Sequence, residues 1–356
     1  MLLMVVYYIA LQFVFYAFSR NGAPAVPDIM MQVVYSTAMM FLPFLLYKLL
    51  SREKMSEILP LNDMKLSDLL LVICIAVFLY PVMSIVGVLS QWIMPMDLGG
   101  TVENMLTETS PVLVLAAMAL LPAVFEELIF RGVILKGYKG VRLVTAAFIS
   151  GLFFGVIHMN LAQFFYAFLL GFIYTVIIHY TRSIYASVIM HLINNGISVV
   201  ITVMVANSGI EQTETVIDMG FPELIDLIAN MAYLLVFVIP ILIVLFALLI
   251  RNNTKGRPGT SFLRERYFVY PHPRQAVPDF SAVYRQASEA GGQAPVKKMP
   301  RPYSAVDAYM DGPKSHMPDY YGENDPKPRV FNWSFFLVIL LFIAINALLL
   351  YAMKML

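Results

Sequence analysis

The sequence predicts an all-α fold, a polytopic transmembrane helix bundle, on three observations. Charged residues make up 13% of the chain and hydrophobic ones 60%, whereas a soluble domain carries about 25% charged residues. The apolar residues gather into blocks of about twenty, the length at which a helix rising about 1.5 Å per residue crosses about 30 Å of hydrocarbon. Basic and acidic connections also alternate along the chain, as short loops on two sides of a membrane do.

The blocks lie near residues 1–18, 29–50, 69–95, 111–135, 144–158, 162–180, 184–206, 227–250 and 333–353, which makes about nine spans. The first has no basic start and is longer than the apolar run of a secretory leader, so it is read as a helix. Lys48 to Lys54, Lys136 to Arg142, Arg182 and the segment opening at Arg251 are the basic connections; Asp97 to Glu108 and Glu211 to Asp226 are the acidic ones. The basic loops are expected in the cytoplasm. Nine spans then put the N-terminus inside and the C-terminus outside a cell membrane. The net charge of +1 conceals this asymmetry, and no basic cluster points to nucleic acid. Cys74 is the only cysteine, which excludes an intrachain disulfide and a cysteine-based zinc site; inside an apolar block it reads as a small hydrophobe.

Three regions follow: a helical membrane body over 1–250, a segment over 251–331, and a further transmembrane helix over 332–356. The middle segment holds eleven of the 21 prolines and 13 basic against 8 acidic residues. Proline at that density excludes helix interiors, and the low apolar content cannot offset the entropy of ordering. A disordered or loosely ordered cytoplasmic linker is expected, although Tyr267, Phe268, Tyr270, Tyr320 and Tyr321 leave room for a motif that docks a protein partner. No internal repeat suggests a transporter built from two related halves.

Ionisable groups inside a span cost several kcal/mol, so those present are paired or functional. The block at 111–135 contains Glu126, Glu127 and Arg131, the next His158, and the seventh His191 with Asn194 and Asn195. Glu127 and Arg131, four apart with the acid first, are suited to pair on one helical face. Glu126, about 100° away around the helix, is the carboxylate left for chemistry; the bland alternative is one packing network of all three charges. His191 and Asn195 share a face and could donate towards one point, or could simply bond helix to helix. At about 1.5 Å per residue from the nearest basic residue, Glu126 lies roughly 15 Å deep, His191 roughly 13 Å and His158 roughly 24 Å. His158 is therefore too deep unless its helix tilts or begins below the surface. His179, at a span end beside Tyr180 and Arg182, is read as interfacial; His272 and His316 have no partner pattern.

Glu126-Glu127-x-x-x-Arg131, Phe154-x-x-x-His158 and His191-x-x-x-Asn195, in that order on successive hydrophobic segments, resemble the CPBP family of intramembrane proteases, also called Abi or CAAX-protease-like proteins. The resemblance covers roughly 110–200, within a core at about 110–206, and implies nothing for the proline-rich segment or the last helix. It implies peptide-bond hydrolysis in which Glu126 with His158 activates water, His191 and Asn195 stabilise the oxyanion, and Glu127 with Arg131 holds the site together. Substrates implied are membrane-associated peptides or proteins, either prenylated at the C-terminus or of the bacteriocin kind. No cofactor is required by that scheme. A zinc version would use Glu126, His158 and His191 as ligands, but there is no His-Glu-x-x-His helix to favour it. Two other classes keep buried charge: a non-catalytic scaffold or immunity protein on the same fold, and a proton-coupled transporter, which would more often show paired broken helices.

Overall fold

The computed structural model describes residues 28–94, 99–208, 219–254 and 333–355, together with the isolated positions Tyr7, Ala10, Leu11 and Tyr267. The apolar blocks within them are helical, and no strand forms among the described residues. The principal helices are α1 (Ile29–Ser51), α2 (Met55–Ile58), α3 (Leu66–Ile93), α4 (Gly99–Glu108), α5 (Pro111–Ile134), α6 (Leu143–Ile157), α7 (Leu161–Thr181), α8 (Ile184–Asn207), α9 (Phe221–Thr254) and α10 (Trp333–Met355).

Six of these, α1, α3, α5, α7, α8 and α9, are long and apolar enough to cross a membrane. Their outward faces carry large apolar side chains such as Leu50, Met204, Val236, Phe237 and Ile243, which lipid solvates and water would not. Of the nine expected spans, six are found among the described residues. The block at 1–18 lies outside the described residues except for Tyr7, Ala10 and Leu11. Helix α6 has 15 residues, about 22 Å at 1.5 Å per residue, too short to cross.

Helix α6 is one arm of a hairpin. It ends at His158, Met159 takes a left-handed φ of 50°, and the Asn160 side chain accepts from the Ala162 amide to start α7. The arms approach closely because Gly151 on α6 faces Gly171 on α7, and Gly155, four residues on, faces Phe164. A Cβ on Gly151 would lie 2.5 Å from the Phe168 carbonyl oxygen, and one on Gly171 2.8 Å from the Gly151 Cα, so small residues let the backbones meet. The hairpin places His158 at its tip, one turn beyond Phe154, and the two basic residues Arg142 and Arg182 at its open end.

That open end collects the basic connections. Glu53 pairs with Lys136, Asn62 donates to the Arg182 carbonyl at 2.6 Å, and Lys65 donates to the Asn252 carbonyl at 3.4 Å. The Lys136 ammonium beside Glu53 holds its carboxyl below the usual carboxylate range, and burial, followed by the nearby Lys136 charge, lowers the Lys139 ammonium. At the opposite end, Trp92 Nε1 donates to the Met219 carbonyl at 3.2 Å; Glu103, Glu108, Glu223 and Asp226 lie on the connections and helix ends there. Helix α10 packs along the hairpin through Phe335 on Phe153 and Phe342 on Phe164, with ring centroids 5.7 and 5.0 Å apart.

Candidate active site

Helix α5, which carries both glutamates, is not a regular α-helix. It widens into π-helical turns at Ala116–Leu120 and Leu128–Ile134, on either side of the α-helical turns Leu121–Glu127. Such widened turns recur at functional sites. Pro122 lies at the first junction and has no N–H to offer the carbonyl four residues back, which belongs to Met118. Asn195 supplies the donor instead, with its Nδ2 3.3 Å from the Met118 oxygen. The carboxamide has a second N–H and a carbonyl oxygen still to use.

Beyond the first junction, four charged or titratable side chains form a row. Arg131 Nε lies 3.0 Å from Glu127 Oε2, and both side chains are fully buried. The other Glu127 oxygen is 3.3 Å from His191 Nδ1, and His191 Nε2 is 4.0 Å from Glu126 Oε2. Arg131 also donates to Ser150 Oγ at 3.2 Å, which ties the row to α6. The carboxylate of Glu127 only accepts, so it holds the proton of His191 on Nδ1 and turns Nε2 towards Glu126. Thus Glu127 serves two partners, an arginine four residues on and a histidine on α8.

The two glutamates differ in access. Glu127 is sealed, whereas the Glu126 side chain retains 16% exposure. Glu126 Oε2, Arg131 Nη2, the Tyr174 hydroxyl and Asn194 Oδ1 are buried with no hydrogen-bond partner among the described residues. Buried polar atoms are almost always satisfied, so these define hydrogen-bonding capacity suited to water or a peptide group.

His158 Nδ1 lies 2.7 Å from the Phe154 carbonyl oxygen. A carbonyl cannot donate, so Nδ1 carries a proton, and in the neutral imidazole Nε2 keeps a lone pair. The Phe154 ring is the platform between the two imidazoles: its centroid is 5.4 Å from that of His158 and 5.7 Å from that of His191, edge to face in both cases. The Arg131 guanidinium carbon stands 5.0 Å from the same ring and 5.5 Å from that of Tyr174, positions at which a cation is attracted by an aromatic face.

Glu126, Glu127, Arg131, His158 and His191 are therefore gathered around Phe154, and Asn195 braces α5 against α8. Asn194 is buried on α8. His179, read as interfacial, is packed beside Tyr180 and under the ring of Tyr267. Several contributors escaped the sequence reading. Tyr174 is tilted on His191 at 5.6 Å, Ser187 lies beside the Glu127 carboxylate, and Tyr166 lies near Glu126. Tyrosines 166 and 174 share one face of α7, two helical turns apart, but an aromatic in an apolar span reads as packing until its neighbours are known.

A catalytic zinc would require Glu126, His158 and His191 to converge with bonds of about 2 Å. His191 is instead turned between two carboxylates and His158 is tied to Phe154. No three His, Cys, Asp or Glu side chains converge in that way among the described residues. The donor set as arranged does not fit the ion.

Residues 108–197, about a quarter of the chain, match the family model described as type II CAAX prenyl endopeptidase, Rce1-like. The matched stretch runs from just before α5 to the second turn beyond His191, and so contains every residue of the row and its platform. No curated protein matches the chain, and no solved structure does.

Proposed function

We propose, with residues 108–197 belonging to the CAAX-protease-like family, that this multi-pass membrane protein is an intramembrane endopeptidase in which Glu126 is the general base. The observation that carries the reading is the contrast between adjacent carboxylates. Glu127 is committed to Arg131 and His191, while Glu126 has an unoccupied buried oxygen and partial access.

In the proposed reaction a water molecule attacks the scissile carbonyl while Glu126 removes its proton, with the free Nε2 of His158 as second acceptor for that water. The C–N bond of the tetrahedral intermediate then breaks as the proton passes from Glu126 to the leaving amine. Donors for the oxyanion come from the second N–H of Asn195 and from His191 Nε2 in its imidazolium form. A fixed donor of this kind lowers an acyl-transfer barrier by about 3 kcal/mol. Glu127 and Arg131 keep His191 in register, and Phe154 sets the spacing of the two imidazoles. A membrane-associated peptide with a prenylated C-terminal motif is the first substrate to try, because that is the chemistry named in the matching family model's description.

Two expected results bear on this reading. The first concerns metal: purified protein should keep its peptidase activity through prolonged treatment with a strong chelator. Loss of activity restored by zinc alone would move Glu126, His158 and His191 into ligand roles.

The second concerns sidedness. We place the basic end, and with it residues 251–331, in the cytoplasm, with the N-terminus there and the C-terminus outside. Thr215→Cys and Ala290→Cys, each made in a Cys74→Ser background, are to be labelled in intact cells with a membrane-impermeant thiol reagent. Position 215 should label directly and position 290 only after permeabilisation. The reverse pattern would invert the topology.

A further inference from the structure

One residue of the proline-rich segment is built into the bundle. The Tyr267 amide donates to the Val141 carbonyl at 2.7 Å, and the Gly140 amide donates to the Tyr267 carbonyl at 2.7 Å. Both main-chain groups of Tyr267 are thus bonded to adjacent residues of the turn before α6, with main-chain bonds for affinity and a pocket for the side chain. Gly140 has φ 80°, a left-handed backbone that suits glycine, and it presents its amide to the incoming carbonyl.

The side chain fills a pocket. Tyr267 is 1% exposed and packs with Leu135, Leu143, Ala146, Ala147, Val176 and Tyr180. Two alanines on α6 leave room for the ring, and His179 on α7 stands 5.9 Å away at a tilt of 42°. Burial pushes the phenol well above its ordinary pKa, so the ring docks as a neutral group. Residues 255–266 separate Tyr267 from α9, and residues 268–332 separate it from α10.

We propose that the pocket between the basic ends of α5, α6 and α7 is a docking site for a tyrosine-bearing peptide, filled in cis by the chain's own Tyr267. The three helices it touches are those carrying Glu126 and Glu127, Phe154 and His158, and Tyr174. Docking thus couples the proline-rich segment to the helices that set the site. The fit is for an aromatic residue whose own amide and carbonyl both bond to the turn, as those of Tyr267 do; a proline there would lack the amide.

Hydrogen exchange on the full chain, reconstituted at one copy per nanodisc, reads this docking whether or not the protein cleaves peptides. In the wild type the Gly140 and Tyr267 amides should be protected. In Tyr267→Ala, residues 136–147 should exchange about tenfold faster or more. A synthetic peptide of residues 261–273 should restore protection to that variant, and the same peptide with alanine at position 267 should not. Tyr267→Phe keeps the ring and should stay protected. Any of three results would overturn the proposal: an unprotected Tyr267 amide in the wild type, unchanged exchange at 136–147 in Tyr267→Ala, or restoration by the alanine peptide. Protection that arises only with two copies per disc would show docking between chains and overturn the cis assignment.

Discussion

Glu126→Gln should leave the protein assembled in the membrane and reduce turnover by roughly 100-fold or more, the usual contribution of a general base. The substitution preserves volume and removes only the basic oxygen. Its neighbourhood should tolerate the change, because Glu126 is not part of the Arg131 pair and His191 Nε2 stands 4.0 Å from its carboxylate. The measurement is folded yield, by monodisperse recovery in detergent, alongside the cleavage rate on the same preparation. A Glu126→Gln protein that cleaves at the wild-type rate would remove the carboxylate from the chemistry. One that is missing from the membrane would make its role structural.

Glu127→Gln should fail in the opposite way. It leaves the fully buried Arg131 guanidinium without its counter-ion and takes the anionic acceptor from His191 Nδ1. Removing one member of a buried ion pair costs about 3–5 kcal/mol, a large part of the roughly 5–15 kcal/mol by which folded proteins are stable. The amount recovered from membranes should fall steeply. Replacing both members costs less than stranding one, so Glu127→Gln combined with Arg131→Met should accumulate better than Glu127→Gln alone. It should still cleave poorly, because His191 remains without its orienting carboxylate. Equal accumulation of wild type and Glu127→Gln would show that the buried pair is not what holds α5 in place.

Much of the bundle was legible because a bilayer imposes simple rules on sequence. Charge exclusion marked the spans, and loop charge set apart the basic end, where Glu53 meets Lys136 and Asn62 meets Arg182, from the end where Trp92 meets Met219. The four-residue spacing of Glu127 and Arg131 carried their pairing, since that contact is local to one helix face. The short α6 was not legible, because an apolar run of fifteen residues looks like part of a span until the left-handed Met159 turns the chain back. Contacts between distant residues were also hidden. His191 meets Glu127 across 64 residues, and Asn195 meets Met118 across 77. That the N–H missing at Pro122 would be answered from α8 is likewise visible only in the packing. The sequence offers Tyr267 as one of five aromatics in a proline-rich segment, and that it fills a pocket against α5, α6 and α7 is visible only in the packing.

The central claim, that this site hydrolyses peptide bonds, is tested most directly by mass spectrometry of products from protein reconstituted in liposomes. The substrates offered would be a farnesylated C-terminal peptide, its unprenylated counterpart and a hydrophobic leader peptide of the bacteriocin kind. The account predicts a new C-terminus in at least one of them with wild-type protein, unaffected by chelator and absent with Glu126→Gln. Folded wild-type protein that yields no new terminus from any of the three, or an identical product from Glu126→Gln, would contradict it.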